Sequence, residues 1–299
     1  MENFALIAIA ILAGYTLQKF KIFPEETSMI LNKYIIYISL PAIILLQVPK
    51  LSFSFDILIP TIIAWLVMAL CAVIVLFFSK IFSWSKQVTG GLLLVSVLTN
   101  SSIMGIPIIG LYLGEKALPY VLIYDQLGTF LALAAYGTFI TAYYSTTGNI
   151  KPKAIIQKII TFPSFVALVL ALLLLGQTFP PIINDVLTKF ANTLVPVALV
   201  AVGLQLQFKL PKDDLLPLSM GLLIKLIFAP LIAFGICIAF DWYNLAGKTS
   251  IFEAAMAPMI TAGAVASMAN LAPRLSTAIV GYGIIFSFIT TYILSLFIV

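Results

Sequence analysis

Long apolar runs separated by short polar joints make up nearly the whole chain. A helix needs about 20 apolar residues to cross a bilayer. Ten runs approach or exceed that length, at about 4–20, 29–48, 57–79, 89–113, 119–145, 159–179, 183–206, 214–240, 249–270 and 276–298. The joints carry turn residues such as Pro24, Pro49, Gly114, Pro119, Pro211 and Pro273. The pattern predicts an all-α integral membrane protein of ten transmembrane helices. The most polar joint, Ser145 to Lys158, divides the chain nearly in half. Residues 1–145 then form a first five-helix unit, 146–158 a cytoplasmic linker and 159–299 a second unit. Two copies of an odd number of spans must insert with opposite orientation, as an inverted repeat.

Two of the runs are interrupted at their centres, in matching places of the two halves. The fourth reads TNSSIMGIPIIGLYLG from Thr99, with Asn100, Gly105 and Pro107 in its middle. The ninth reads FEAAMAPMITAGAVASMAN from Phe252, with Pro258, Thr261 and Gly263 in its middle. A helix broken inside a bilayer frees N–H and C=O groups that only protein or a watery cavity can satisfy. One such break per half is the sequence mark of a transporter binding site. A second correspondence supports the repeat. SLPAIILLQVPKLSF, from Ser39, aligns with LVPVALVAVGLQLQF, from Leu194, pairing Pro41 with Pro196 and Phe53 with Phe208.

Composition agrees with the pattern. Of 299 residues, 62% are hydrophobic and 9% charged, and the mean hydropathy is +1.16. A soluble domain carries about a quarter charged residues. The net charge of +5 is scattered over short joints, which gives no surface for reading nucleic acid. Basic residues favour the cytoplasmic side. With the N-terminus outside, the inner joints hold Lys19, Lys21, Lys33, Lys80, Lys86, Lys151, Lys153, Lys158, Lys209, Lys212 and Arg274. The outer joints hold only Lys50, Lys116, Lys189 and Lys248. Both termini are therefore expected outside a cell membrane crossed many times. The first run has no basic residue before it and reads as a retained span rather than a removed signal. The chain has no histidine, which excludes histidine acid–base chemistry and histidine-ligated metals. Cys71 and Cys237 lie alone in apolar runs and read as buried, inert thiols. No metal and no resident cofactor is expected, and no enzymatic activity. AGKTS, from Ala246, resembles the end of a phosphate loop, but Trp242 stands where the first glycine belongs. It is expected in an outer loop.

From Asn100 the sequence NSSIMGIP resembles the NTLVMGIP segment of plant PIN-type auxin exporters, and GLYLG resembles the stretch just downstream of it in those proteins. The ninth run through Leu275-Ser276-Thr277, the Asn32–Pro41 spacing and KLIFAP from Lys225 are similar to the same family. The chain is identified as a member of the auxin efflux carrier family in its compact prokaryotic form. That resemblance implies the fold of the bile-acid and sodium/proton carriers, with spans 4 and 9 crossing at unwound centres. It also implies a scaffold and homodimer interface from spans 1, 2, 6 and 7. Spans 3–5 and 8–10 would form a mobile transport domain, in an elevator-type mechanism. The Asp and Lys that plant members carry on the third span are absent here, where Ala64 to Cys71 is wholly apolar.

The chemistry then falls to few side chains. Helix N-termini carry free amides and about half a positive charge, and two half-helices are expected to begin near Ile106–Ile108 and Met259–Thr261. Such ends can hold a carboxylate without a buried Lys or Arg, which points to a small organic anion. Asn100 is the leading polar candidate, as a ligand or as a local cap. Ser101, Met104, Gly105, Pro107, Gln126, Pro258 and Thr261 complete the predicted substrate site, with Ser102 beside them. Three charges fall inside runs: Asp125, Lys225 and Glu253. A charge at mid-span costs about 2.5–3.5 kcal/mol on insertion scales. Asp125 could take a coupling ion, H⁺ or Na⁺, or hold a structural bond. Lys225 could pair with Asp125 or Glu253, counter the substrate or snorkel to the inner surface. Glu253, near a run's end, could equally be exposed at the interface. The expected function is secondary transport of an auxin-like monocarboxylate or a dicarboxylate such as malonate or malate. The alternative is a membrane sensor that binds an anion without moving it.

Overall fold

The computed structural model describes residues 2–24, 26–50, 55–145, 157, 160–205 and 214–298. Lys151, Lys153, Lys158, Lys209 and Lys212 of the predicted inner joints lie outside the described residues, as do Phe53 and Phe208 of the internal match.

The described chain is built from helices. In order they are α1 (Glu2–Lys19), α2 (Thr27–Lys50), α3 (Phe55–Ile81), α4 (Lys86–Val95), α5 (Ser101–Leu113) and α6 (Glu115–Tyr144). Then come α7 (Pro163–Leu173), α8 (Pro181–Leu204), α9 (Leu215–Ala239), α10 (Leu245–Ala254), α11 (Ile260–Met268) and α12 (Pro273–Ile298). Among the described residues six of these, α2, α3, α6, α8, α9 and α12, are long and apolar enough to cross a membrane. Helices α5 and α7 are shorter apolar helices. The fourth predicted run is split into α4 and α5, and the ninth into α10 and α11.

Local chemistry explains the ends. Ser85 caps α4, its hydroxyl accepting from the Val88 N–H at 3.2 Å. Asn244 caps α10 in the same way, accepting from the Gly247 N–H at 3.1 Å. That cap draws Ala246–Ser250 into the first turns of α10, so AGKTS is helical and not the loop expected. Three helices widen into a π turn just ahead of a proline: Ile35–Ser39 before Pro41, Ser101–Gly105 before Pro107, and Ile224–Phe228 before Pro230. Proline has no N–H and its ring clashes with the carbonyl one turn back. A wider turn accommodates both defects.

Packing follows membrane rules rather than those of a water-soluble core. Bulky apolar side chains such as Ile182, Leu173 and Phe297 are 75–79% exposed, facing outward where lipid would cover them. Small residues bring backbones together inside. At the α1–α8 crossing, a Cβ on Gly14 would collide with the Val200 carbonyl oxygen, and one on Gly203 with that of Ile11. Only glycine permits this approach. Helix α2 is bound to the same group. Ser39 Oγ and Thr193 Oγ1 share a hydrogen bond of 2.8 Å, and Ser164 Oγ of α7 donates to the Ile36 carbonyl at 2.8 Å.

Replacing Gly203 by Val should therefore force α1 and α8 apart and cost about 1–3 kcal/mol or more. Melting of the detergent-solubilised protein should shift several degrees downward; an unchanged melting temperature would show that the two glycines are not in contact.

Candidate functional site

The two interruptions lie against each other. Beyond Val95 and beyond Ala254 the chain leaves the helix, and the two extended stretches form an antiparallel bridge at Thr99 and Pro258. The Asn100 N–H donates to the Ala257 carbonyl at 2.9 Å, and the Met259 N–H donates to the Leu98 carbonyl at 3.0 Å. Each break thus satisfies part of the other's backbone, as a non-helical stretch at membrane depth requires. Pro258 has no N–H to leave unpaired, and its ring packs on Gly283 of α12, where a Cβ would collide with Pro258 Cδ.

Lys225 joins this crossing from the π turn of α9. Its Nζ donates to Thr99 Oγ1 at 2.6 Å and to the Ala254 carbonyl at 2.8 Å. Ala254 ends α10, so the ammonium sits at the negative end of that helix dipole. The side chain is 0% exposed. It neither snorkels nor bonds a carboxylate, because Asp125 is engaged elsewhere and neither oxygen of Glu253 has a hydrogen-bond partner among the described residues.

Asp125, in the π turn Tyr124–Phe130, accepts from Ser101 Oγ at 2.5 Å and from Gln126 Nε2 at 2.6 Å. The acid therefore ties α6 to the first turn of α5. Glu253 is 0% exposed, which removes the reading of an interfacial charge. Being near the end of a helix does not place it at the membrane surface, because α10 ends at the crossing.

The predicted binding residues divide into two groups. Asn100, Ser101, Met104, Gly105, Gln126 and Pro258 are buried at the crossing, while Thr261 lies partly exposed in the first turn of α11. Among the predicted residues Pro107, with its neighbour Ile106, is the one that reaches an open cavity. Asn100 stands at the cap position of the π turn but makes no side-chain cap bond, so its local capping role is not realised. Its Nδ2 has no partner among the described residues, and the same holds for Gln126 Oε1 and Thr261 Oγ1. The first half-helix begins at Ser101 rather than near Ile106, because the π turn starts five residues ahead of Ile106. The free amides of α5 therefore come directly after Asn100. The second half-helix begins at Ile260, within the expected stretch, and Thr261 and Gly263 belong to the helix rather than to the break.

A cavity of about 540 Å³ opens between α2, α5 and α8. Ile43 and Gln47 line it from α2, Pro107 and Gly110 from α5, and Asn184 and Thr188 from α8. Lys50 and Glu115 stand with them in its wall. Sequence reasoning missed this polar wall. The signal was present: Asn184, Thr188 and Asn192 recur at four-residue spacing and share one helix face. Thr99 was missed as well, although it adjoins Asn100 in the break.

Two interrupted helices crossing at a buried polar cluster, in a bundle with six membrane-length helices, define a membrane transport protein. Known proteins agree. A family described as "Membrane transport protein" matches residues 1–295. The chain belongs to this family, the PIN-like auxin efflux family. It is 27% identical over 266 residues to an uncharacterized transporter of Methanocaldococcus jannaschii, covering 86% of this chain and 85% of the relative. An uncharacterized transporter of Methanothermobacter thermautotrophicus is 22% identical over 268 residues, covering 89% and 87%.

Lys225→Met removes the ammonium and leaves the Ala254 carbonyl and the Thr99 hydroxyl without their donor. Each buried group left unpaired costs about 1–3 kcal/mol. The expected result is a marked loss of thermal stability in detergent. A variant as stable as the parent would mean that Lys225 does not hold the crossing together.

Proposed function

We propose that the protein is a secondary carrier that moves a small organic anion across the cell membrane by alternating access at the crossing of α4–α5 with α10–α11. The observation that carries this reading is the pairing of the two breaks. It brings two helix starts together at one place and leaves Asn100 Nδ2 and Thr261 Oγ1 buried beside them without partners among the described residues. Those atoms and the adjoining free amides are donors, which suits a carboxylate. An auxin-like monocarboxylate or a dicarboxylate such as malonate or malate fits this chemistry.

The cavity supports alternating access. It runs along the boundary between α2 and α8 on one side and α5 on the other. Helices α1, α2, α7 and α8 are fastened to one another by the Gly14–Gly203 contact and by the Ser39–Thr193 and Ser164–Ile36 bonds. We take them as the scaffold and as the face of a homodimer, with the remaining helices as the moving body. The Ser39–Thr193 bond also joins the regions that carry the aligned Pro41 and Pro196, which supports two inverted repeats of five spans each. Lys50 and Glu115 stand in the cavity wall. The charge pattern of the joints puts that end outside, so the described state faces outward, with both termini on the same side. Asp125 positions the first break through Ser101, and Lys225 positions the second through Ala254.

The test is uptake of labelled mono- and dicarboxylates into proteoliposomes. Losing a hydrogen bond to a charged group is worth about 1.5–3 kcal/mol, so Asn100→Ala should weaken saturable uptake by about tenfold or more. Unchanged uptake in that variant would remove the crossing as the binding site. Saturable binding with no uptake by the parent protein would identify a sensor instead.

A further inference from the structure

The three buried charges at the crossing are not equivalent. Asp125 accepts two hydrogen bonds and Lys225 donates two. Both oxygens of Glu253 are sealed from solvent and have no hydrogen-bond partner among the described residues. A Cβ on Gly105 would collide with Glu253 Oε1 and stand 2.8 Å from Oε2, so the carboxyl rests directly on the Gly105 backbone. The next two residues, Ile106 and Pro107, line the open cavity. Gly105 also closes the π turn that starts at Asn100, its N–H donating to the Asn100 carbonyl at 3.2 Å. Glu253 therefore rests at one end of the π turn that has Asn100 at its other end.

The groups facing Glu253 come from every side. Lys225 of α9 and Asp125 of α6 are its charged neighbours, and Tyr124 stands near it. Cys71 of α3 lies close to Lys225 and Tyr124. On α5 Tyr112 stacks on the adjacent Phe252, and Cys237 of α9 packs against Gly247 two turns earlier on α10. Of these only Lys225 is cationic, and its Nζ is already bonded to Thr99 and to Ala254. An ionised Glu253 would face the negative end of its own helix and the Asp125 carboxylate, with no donor of its own.

We propose that Glu253 is the proton-binding group of the carrier, so that one proton crosses the membrane with the anion. The inference rests on the anion-carrier reading above. Water on one side gives a proton to a Glu253 oxygen as the anion docks, and the oxygen returns it to water on the other side. No other bond changes. An anion at the crossing and an ionised Glu253 are like charges within one dry site, so each ligand, anion and proton, favours the other, and by linkage equally. A proton suits the site better than a metal cation, because a hard cation needs a shell of several oxygen ligands. Here the oxygens lie on a backbone, and no group of three His, Cys, Asp or Glu side chains converges among the described residues.

The test uses the full chain in proteoliposomes containing a pH-sensitive dye, with labelled malonate, malate and indole-3-acetate as probes. The parent protein should accumulate at least one probe on an inward proton gradient, about tenfold above the level reached without a gradient, and acidify the lumen as it does so. Glu253→Gln, a neutral isostere, should keep anion exchange while losing both the gradient response and the proton signal. Glu253→Asp should keep both and show that the protein tolerates change there. A proton signal surviving in Glu253→Gln would overturn the assignment, as would accumulation driven by sodium and not by protons. If the parent protein takes up none of the probes at any pH, the anion-carrier reading fails first and the inference goes with it. Exchange without any proton signal in the parent leaves the carrier standing and removes only the role of Glu253.

Discussion

Inside a bilayer every backbone amide and carbonyl needs a partner, and this molecule meets that demand in an unusual way at its centre. Two helices stop short, and the loose ends pair with one another through the Asn100–Ala257 and Met259–Leu98 hydrogen bonds. The buried charges among the described residues, Asp125, Lys225 and Glu253, are gathered around that short antiparallel contact. Lys225 reaches it from α9 and Asp125 from α6, each through a bond to one of the two breaks or its adjoining turn. The crossing is thus a small polar structure held inside an apolar bundle.

The cost of such a structure explains its composition. Buried charges are tolerable when bonded, and Asp125 and Lys225 each have two bonds. They serve the backbone: one carboxylate anchors a helix start, and one ammonium neutralises a helix end. What they leave free is informative. The donor of Asn100 and the acceptors of Glu253 lie at the two ends of one turn, and the unpartnered Thr261 hydroxyl stands at the start of the other half-helix. A site with unpaired donors on one side and an unpaired carboxyl on the other is chemically suited to two ligands of opposite charge. The cavity ends at Ile106 and Pro107, the two residues that follow that turn.

Much of this was legible in the chain. The helix positions follow from apolar runs, and the two breaks follow from Asn100, Pro107 and Pro258 at the centres of such runs. Other features were hidden for physical reasons. The π turn ahead of Pro107 moved the start of α5 from Ile106 back to Ser101, because a proline defect is spread over the preceding turn rather than confined to one residue. Glu253 looked peripheral because distance from the end of a run is a poor measure of depth when the helix itself ends at mid-bundle. The partners of Lys225 could not be read, since one is a main-chain carbonyl that any residue would provide. Asn184 and Thr188 were readable as a polar stripe, but only tertiary structure shows that it faces a cavity instead of a neighbouring helix.

The account stands or falls on what occupies the crossing. The most direct measurement is a cryo-electron microscopy map of the protein in lipid nanodiscs, saturated with a carboxylate that it transports. The account predicts density for the anion between Asn100, just ahead of α5, and Thr261, in the first turn of α11. A ligand resolved elsewhere, with Asn100 and Thr261 still without partners, would contradict it.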